Sequence, residues 1–444
     1  VTHMPLIQAP GALVFALLIG VLFAGGFVLG RYGRRNLGGA IITGFIAAVL
    51  NLLVLGALLA DMKEGGPSPL IWLPGYFLAT VGIVVAGWAV GLRKYVERTV
   101  NWAAWFGITT VAAVALVVSA GGLVTGFDAG FSVPDWPNTY GSNMFLFPLS
   151  RMTGGIYYEH THRMAGALVG LTAMMLMIWL WTTNRSRSIK WFATAAFLLV
   201  CLQGVIGGVW VTKVDPADTE AMAHAIPQAD GTFIAEPSLI YVIFHGTTGQ
   251  LILGLFVALA AMLTTTWQRR GIEVHDERAG IDLPLSWLLV ITLTVQLMLG
   301  VWTRKTDGGA AVLLHISVAV IVAILAIGAS VRGTSVWGDR FPVLRRTGAA
   351  VGIIVMIQLC LGLLALLFRK APTGSTVTVG SDAVSGTGDA IFTTLHQSTG
   401  AALLALSILL LTWNYRLLKT PALPAKQPPS PRKVSTESPE KVLV

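Results

Sequence analysis

Apolar runs of about 20 residues recur along the whole chain, broken by short stretches rich in Gly, Pro or charge. Each run is long enough to cross a bilayer as a helix. The pattern predicts eleven spans, near 10–30, 39–60, 70–92, 102–124, 159–182, 189–211, 239–266, 285–303, 311–331, 348–368 and 391–415. The expected fold class is therefore all-α and polytopic. The first run leads into a second apolar run rather than into a cleavage site and a soluble body, so it is expected to be a retained helix and not a signal peptide.

Composition supports this picture. Of the 444 residues 55% are hydrophobic and 11% charged, where a soluble chain carries roughly 25% charge. Charge then supplies an orientation. With the amino terminus outside, the inside segments hold 22 of the 30 Lys and Arg and the outside segments 7, the asymmetry expected when basic loops stay in the cytoplasm. The formal charge of +9 thus reports membrane topology and no affinity for nucleic acid. Residues 416–444 are expected to be a disordered cytoplasmic tail. Cys201 and Cys360 form no disulfide framework or metal spacing, and the expectation for both is a small buried apolar residue.

Two long outside loops, 125–158 and 212–238, interrupt the short connections. The first carries Phe127, Phe131, Trp136, Tyr140, Phe145 and Phe147, and that aromatic content favours an ordered lid at the membrane surface.

Histidine is where the chemistry concentrates. The stretch "YYEHTHRMAGALVG" places Glu159, His160, His162 and Arg163 at the edge of an apolar span, and ionisable groups there are costly unless used. His245, His315 and His396 occupy the same place, in the first turns of other helices predicted to run inwards. The spacing repeats: His162 precedes His245 by 83 residues and His315 precedes His396 by 81. Two parallel, pseudo-symmetric four-helix repeats account for this, related by an axis along the membrane normal. The expected units are 102–283 for the amino-terminal half and 284–415 for the carboxy-terminal half. Residues 1–101 would be a three-helix extension without intramembrane charge, whose default role is packing or docking.

One turn after each histidine comes a small residue: Gly166, Gly249, Ala319 and Gly400. That position lies on the same helix face, where a missing side chain leaves room for a flat, bulky group. His160 has Met164 at that offset, so His162 is the better ligand. The pairs Gln203–Gly207, Gln296–Gly300 and Gln358–Gly362 suggest close helix packing in lipid. Paired histidines above small residues suit bis-imidazole heme iron. The rivals are zinc, which would usually want three or four close ligands, and a proton relay. Glu159 breaks the symmetry, since Val242, Val312 and Thr393 hold the equivalent place before the other histidines. It would lie against one proposed heme only, unless it simply pairs with Arg163 four residues on.

At this point the residues resemble a known family. "EHTHRMAG" is similar to the Glu-x-x-His-Arg-x-x-Gly signature of heme A synthase, and "PDWP" at 134–137 to that family's outer-loop motif. The resemblance covers about residues 102–415. It implies oxidation of a methyl group of heme O to the formyl group of heme A by successive hydroxylations, with iron in both hemes. It implies substrate heme on His162 and His245, near Arg163, Gly166 and Gly249. It implies a relay heme b on His315 and His396, near Ala319 and Gly400, and a catalytic role for Glu159. A heme O synthase as supplier, an electron acceptor, membrane lipid and a homo-oligomer are the partners compatible with it. The expected location is the cell (inner) membrane, with the hemes near the outer face. Three departures stand out: the outer loops lack cysteine pairs, a basic residue expected after Gly121–Gly122 is replaced by "LVTGFD", and the three-helix extension is additional. The alternatives are a noncatalytic diheme electron-transfer subunit linked to quinol, and a heme carrier.

Overall fold

The structure, a computed structural model, describes residues 11–33, 36–61, 69–97, 99–212, 239–306, 309–369 and 387–421, with short strand pieces at 3–4, 7–8, 226–227, 233–235 and 377–379. Among these are eleven long helices: α1 Gly11–Tyr32, α2 Leu37–Asp61, α3 Pro69–Leu92, α4 Trp102–Gly126, α5 Gly154–Thr182, α6 Arg187–Thr212, α7 Leu239–Met262, α8 Asp282–Lys305, α9 Gly309–Val331, α10 Pro342–Leu367 and α11 Thr387–Leu417. Ten contain spans long and apolar enough to cross a membrane, and α2 adds a shorter apolar stretch, Leu37–Leu52. The protein is an all-α, multi-pass membrane protein. The predicted tail beyond residue 421 and most of the 212–238 loop lie outside the described residues.

Helices α4 to α7 pack as one four-helix group, each against the next and α4 against α7; α8 to α11 do the same. The groups meet through α11, which packs on both α4 and α7, and through α7 against α8. Glycine sets these distances. Gly122 and Gly126 of α4 face Thr394 of α11, where an added Cβ would lie 3.0 Å from that side chain in each case. Gly254 of α7 faces Ile408. Ala401 and Ala405 complete the apolar core of the first group, while Leu403, Leu404, Leu410 and Leu411 belong to the core of the second.

The three-helix extension is held by a different device. Gly26 and Gly30 of α1 lie against backbone carbonyls of Val84 and Trp88, and Gly87 and Gly91 of α3 lie against those of Phe23 and Phe27. Each helix thus contributes a Gly-x-x-x-Gly pair to a parallel, backbone-close contact, the small-residue packing that substitutes for hydrophobic collapse in lipid. Helix α2 packs on α3 and on the loop turns Met144–Leu146 and Leu149–Arg151, which ties the extension to the long loop before α5.

A polar cluster closes the end of the bundle away from the histidines. Asp282, buried, accepts from Arg332 at 2.7 and 2.8 Å and from Trp337 Nε1 at 2.9 Å. Asn414 Nδ2 donates to Ser286 at 2.9 Å, and a parallel pairing of 274–275 with 418–419 holds the end of α11. Beside it, hydrogen bonds from Arg278 hold the Asp276 carboxyl down at about 2.

Two expectations need correction. Cys201 and Cys360 are exposed on the outer helix faces, not buried, because in a bilayer the lipid-facing surface is as apolar as the core. Helices α5 and α10 also begin five and six residues earlier than their apolar runs suggest, at Gly154 and Pro342. A helix continues through its charged interfacial turn, where hydropathy alone ends it.

Candidate functional site

The four histidines stand at matching depths. His162 is the ninth residue of α5, His245 the seventh of α7, His315 the seventh of α9 and His396 the tenth of α11. At 1.5 Å per residue that is roughly 9–14 Å below each helix start. They meet in pairs. The rings of His162 and His245 lie 6.4 Å apart, centre to centre, with planes at 79°; those of His315 and His396 lie 6.2 Å apart at 77°.

Each ring rests on a glycine of the preceding helix. An added Cβ would come within 3.0 Å of the His162 ring at Gly121, 3.0 Å of His245 at Gly207, 3.2 Å of His315 at Gly300 and 3.0 Å of His396 at Gly362. All four glycines are sixth from the end of their helix. The Gln–Gly pairs therefore grip a histidine, where the sequence pattern suggested helix packing alone. Gly121, whose partner four residues earlier is Val117, completes the set; the absence of glutamine there hid it.

Of the small residues expected beneath the histidines, Gly166 has open space beside it, while Gly249 and Gly400 look towards the amides of Gln203 and Gln358 at 3.6 and 3.1 Å. Ala319 is half-buried.

Among the described residues one group is present in the first half alone. Glu159 is 3% exposed. Its Oε1 accepts from Arg163 Nη2 at 2.6 Å and its Oε2 from the backbone N–H of Val133 at 2.7 Å. Arg163 also donates to the carbonyls of Val133, Asp135 and Asn138 at 2.7, 2.6 and 3.0 Å. The Glu–Arg pair thereby fastens the loop carrying Pro134–Pro137 onto α5. Asp135 in turn accepts from the N–H groups of Tyr140 and Gly141 at 2.8 Å. Trp136 reaches across to lie on Gly208 of α6, one residue from the glycine under His245. His160, also buried, sits 3.1 Å from Thr139 Oγ1 and against Phe147. It holds the loop, and His162 alone of the two faces His245.

The histidine pairs can be tested against iron. Metal–imidazole bonds of about 2 Å, with roughly 1 Å from each nitrogen to its ring centre, put two axial imidazoles roughly 6 Å apart. Both pairs have that spacing. Nδ1 of His315 and of His396 is buried without a protein partner, which is costly unless something binds there. The residues present fit a bis-histidine heme in each half. Among the described residues no three His, Cys, Asp or Glu gather as a metal cage, and the histidines stand only in twos.

Comparison with known proteins adds the following. Residues 104–317 match the family described as cytochrome oxidase assembly protein, COX15-CtaA. The match takes in Glu159, His162, Arg163, His245 and His315. A heme A synthase from Erythrobacter litoralis is 23% identical over 223 residues, 44% of this chain and 60% of that protein. One from Bartonella tribocorum is 28% identical over 157 residues, 34% of this chain and 37% of that protein. One from Geobacillus kaustophilus is 29% identical over 109 residues, 24% and 33% respectively. The matched stretches thus span less than two thirds of these relatives' own lengths.

Proposed function

We propose, since residues 104–317 match the COX15-CtaA family of cytochrome oxidase assembly proteins, that the protein is a heme A synthase, oxidising a methyl group of heme O to the formyl group of heme A. The observation that carries this reading is the position of Glu159. It is a buried carboxylate three residues before His162, in a half whose histidines have iron spacing, with no counterpart in the other half.

In this reading His162 and His245 hold the substrate, with Gly166 and Gly249 beneath it. Residues 133–138, fastened by Arg163, cover one side and exclude water. Glu159 would be the carboxylate that takes a proton from water attacking the oxidised methyl carbon, or that offsets positive charge developing there. Arg163, donating to Oε1 while the Val133 N–H donates to Oε2, fixes that carboxylate's orientation. His315 and His396, with Ala319 and Gly400, would hold a heme b, whose chemistry when bound is one-electron transfer. The Lys and Arg bias supports an orientation with the amino terminus outside, the histidine end at the outer face and the carboxy terminus in the cytoplasm of a cell-membrane protein. A heme O supplier and an electron acceptor complete the partners.

The hydrogen bonds already made by both Glu159 oxygens favour a second reading, in which the carboxylate only fastens the loop of a diheme electron-transfer subunit or heme carrier. Heme extraction with chromatography and mass identification, on wild type and Glu159→Gln, separates the two. Heme B with heme O or A in wild type, and loss of conversion with hemes retained in the variant, supports the enzyme. Retained conversion removes Glu159 from catalysis, and heme B alone at two per chain favours electron transfer.

A further inference from the structure

Behind three of the four histidines lies a glutamine whose amide nitrogen approaches the ring, at Nδ1 of His245 and at Nε2 of His315 and His396. Gln203 Nε2 is 2.9 Å from His245 Nδ1 and donates to the His245 carbonyl at 2.5 Å. Gln296 Nε2 is 3.3 Å from a ring nitrogen of His315 and donates to the His315 carbonyl at 2.9 Å. Gln358 Nε2 is 3.5 Å from a ring nitrogen of His396. Each glutamine stands one helical turn before the glycine on which the same histidine rests. In all three the amide oxygen is buried without a hydrogen-bond donor. At the fourth site the corresponding residue is Val117, and His162 Nδ1 lies 3.2 Å from the Val117 carbonyl.

We propose that Gln203, Gln296 and Gln358 are positioning residues for the iron-binding rings of His245, His315 and His396, and that His162 is the one ligand without a side-chain anchor. The inference rests on the heme reading given above. A neutral imidazole that binds iron through one nitrogen must carry its proton on the other, and that N–H needs an acceptor. Each glutamine brings an oxygen that otherwise has no partner, on an amide already at the ring; turning that oxygen to the ring N–H exchanges the bond that Gln203 and Gln296 donate to the histidine carbonyl for one accepted from the ring. The acceptor fixes ring orientation and tautomer and makes the imidazole a stronger donor to iron. At His162 the acceptor is a main-chain carbonyl within α4, which already receives a helical N–H, so its support is weaker. The carboxy-terminal pair is then anchored on both sides, as suits a resident group. The amino-terminal pair is anchored on one side only, as suits a group that must come and go.

The test uses the full-length protein purified with its hemes. Gln296→Leu, Gln358→Leu and their Glu counterparts are compared with wild type by redox titration and by low-temperature EPR of the ferric hemes. The expected result is that Leu raises the midpoint potential of the carboxy-terminal heme and speeds its loss to a heme scavenger by roughly 10–100-fold, while Glu, retaining an acceptor, lowers the potential. Gln203→Leu should shift only the other heme. Hemes bound in the Leu variants with unchanged potential and g-values would overturn the glutamine assignment while leaving the four-histidine reading intact. A wild-type protein that binds no heme would overturn that reading as well.

Discussion

Arg163 and Glu159 form an ion pair of 2.6 Å whose side chains are 8% and 5% exposed, and the same guanidinium holds three carbonyls of the loop over the first histidine pair. Removing the cation leaves a carboxylate buried without its partner, which typically costs about 3–5 kcal/mol. Arg163→Ala should therefore lower thermal stability and expose the 127–153 loop to protease. The carboxy-terminal heme spectrum should stay unchanged. A loop as resistant as in wild type would show that Arg163 does not fasten it.

The two histidines of "EHTH" should separate cleanly. His162→Ala should abolish heme binding in the amino-terminal half. His160→Ala should retain it, because that ring packs on Thr139 and Phe147 instead. Heme content by pyridine hemochrome decides the matter, and loss of heme in both variants to the same extent would contradict the assignment.

The glycines under the rings leave little room for a side chain. Gly207→Val and Gly362→Val force two methyls and a Cβ into contacts already 3.0 Å for the Cβ alone, an overpacking cost of about 1–3 kcal/mol. Each should release the heme of its own half, read as a halved heme-to-protein ratio. Full occupancy in either variant would mean that the histidine does not need that seat.

Asp282 lies at the far end of the bundle, bound by Arg332 and Trp337. Asp282→Ala leaves the indole N–H without its acceptor and the guanidinium with the Arg278 carbonyl in place of the carboxylate, and should cost about 1–3 kcal/mol. Thermal unfolding in detergent should show the loss, while the heme potentials remain at wild-type values. Shifted potentials would mean that the two ends are coupled.

Much of this protein was legible in its residues. Apolar run length alone identifies the helices, because crossing a bilayer demands about 20 such residues whatever the fold, and the number of helices follows. The residue types that can bind iron are equally visible, since His162, His245, His315 and His396 are rare polar groups in apolar surroundings. What lipid conceals is the direction in which each helix faces. A soluble helix announces its buried side by amphipathicity, but here both sides are apolar, so Cys201 and Cys360 were open to misplacement. For the same reason Gln203–Gly207 looked like a packing motif until α7 was set beside it and His245 filled the gap. The choice between His160 and His162 was suggested by Met164 and Gly166, yet their partners Thr139 and Val117 come from segments tens of residues away. Local sequence determines which groups enter the membrane and at what depth. Only the packing of one helix on the next decides which of them meet, because that depends on backbone approach at particular glycines.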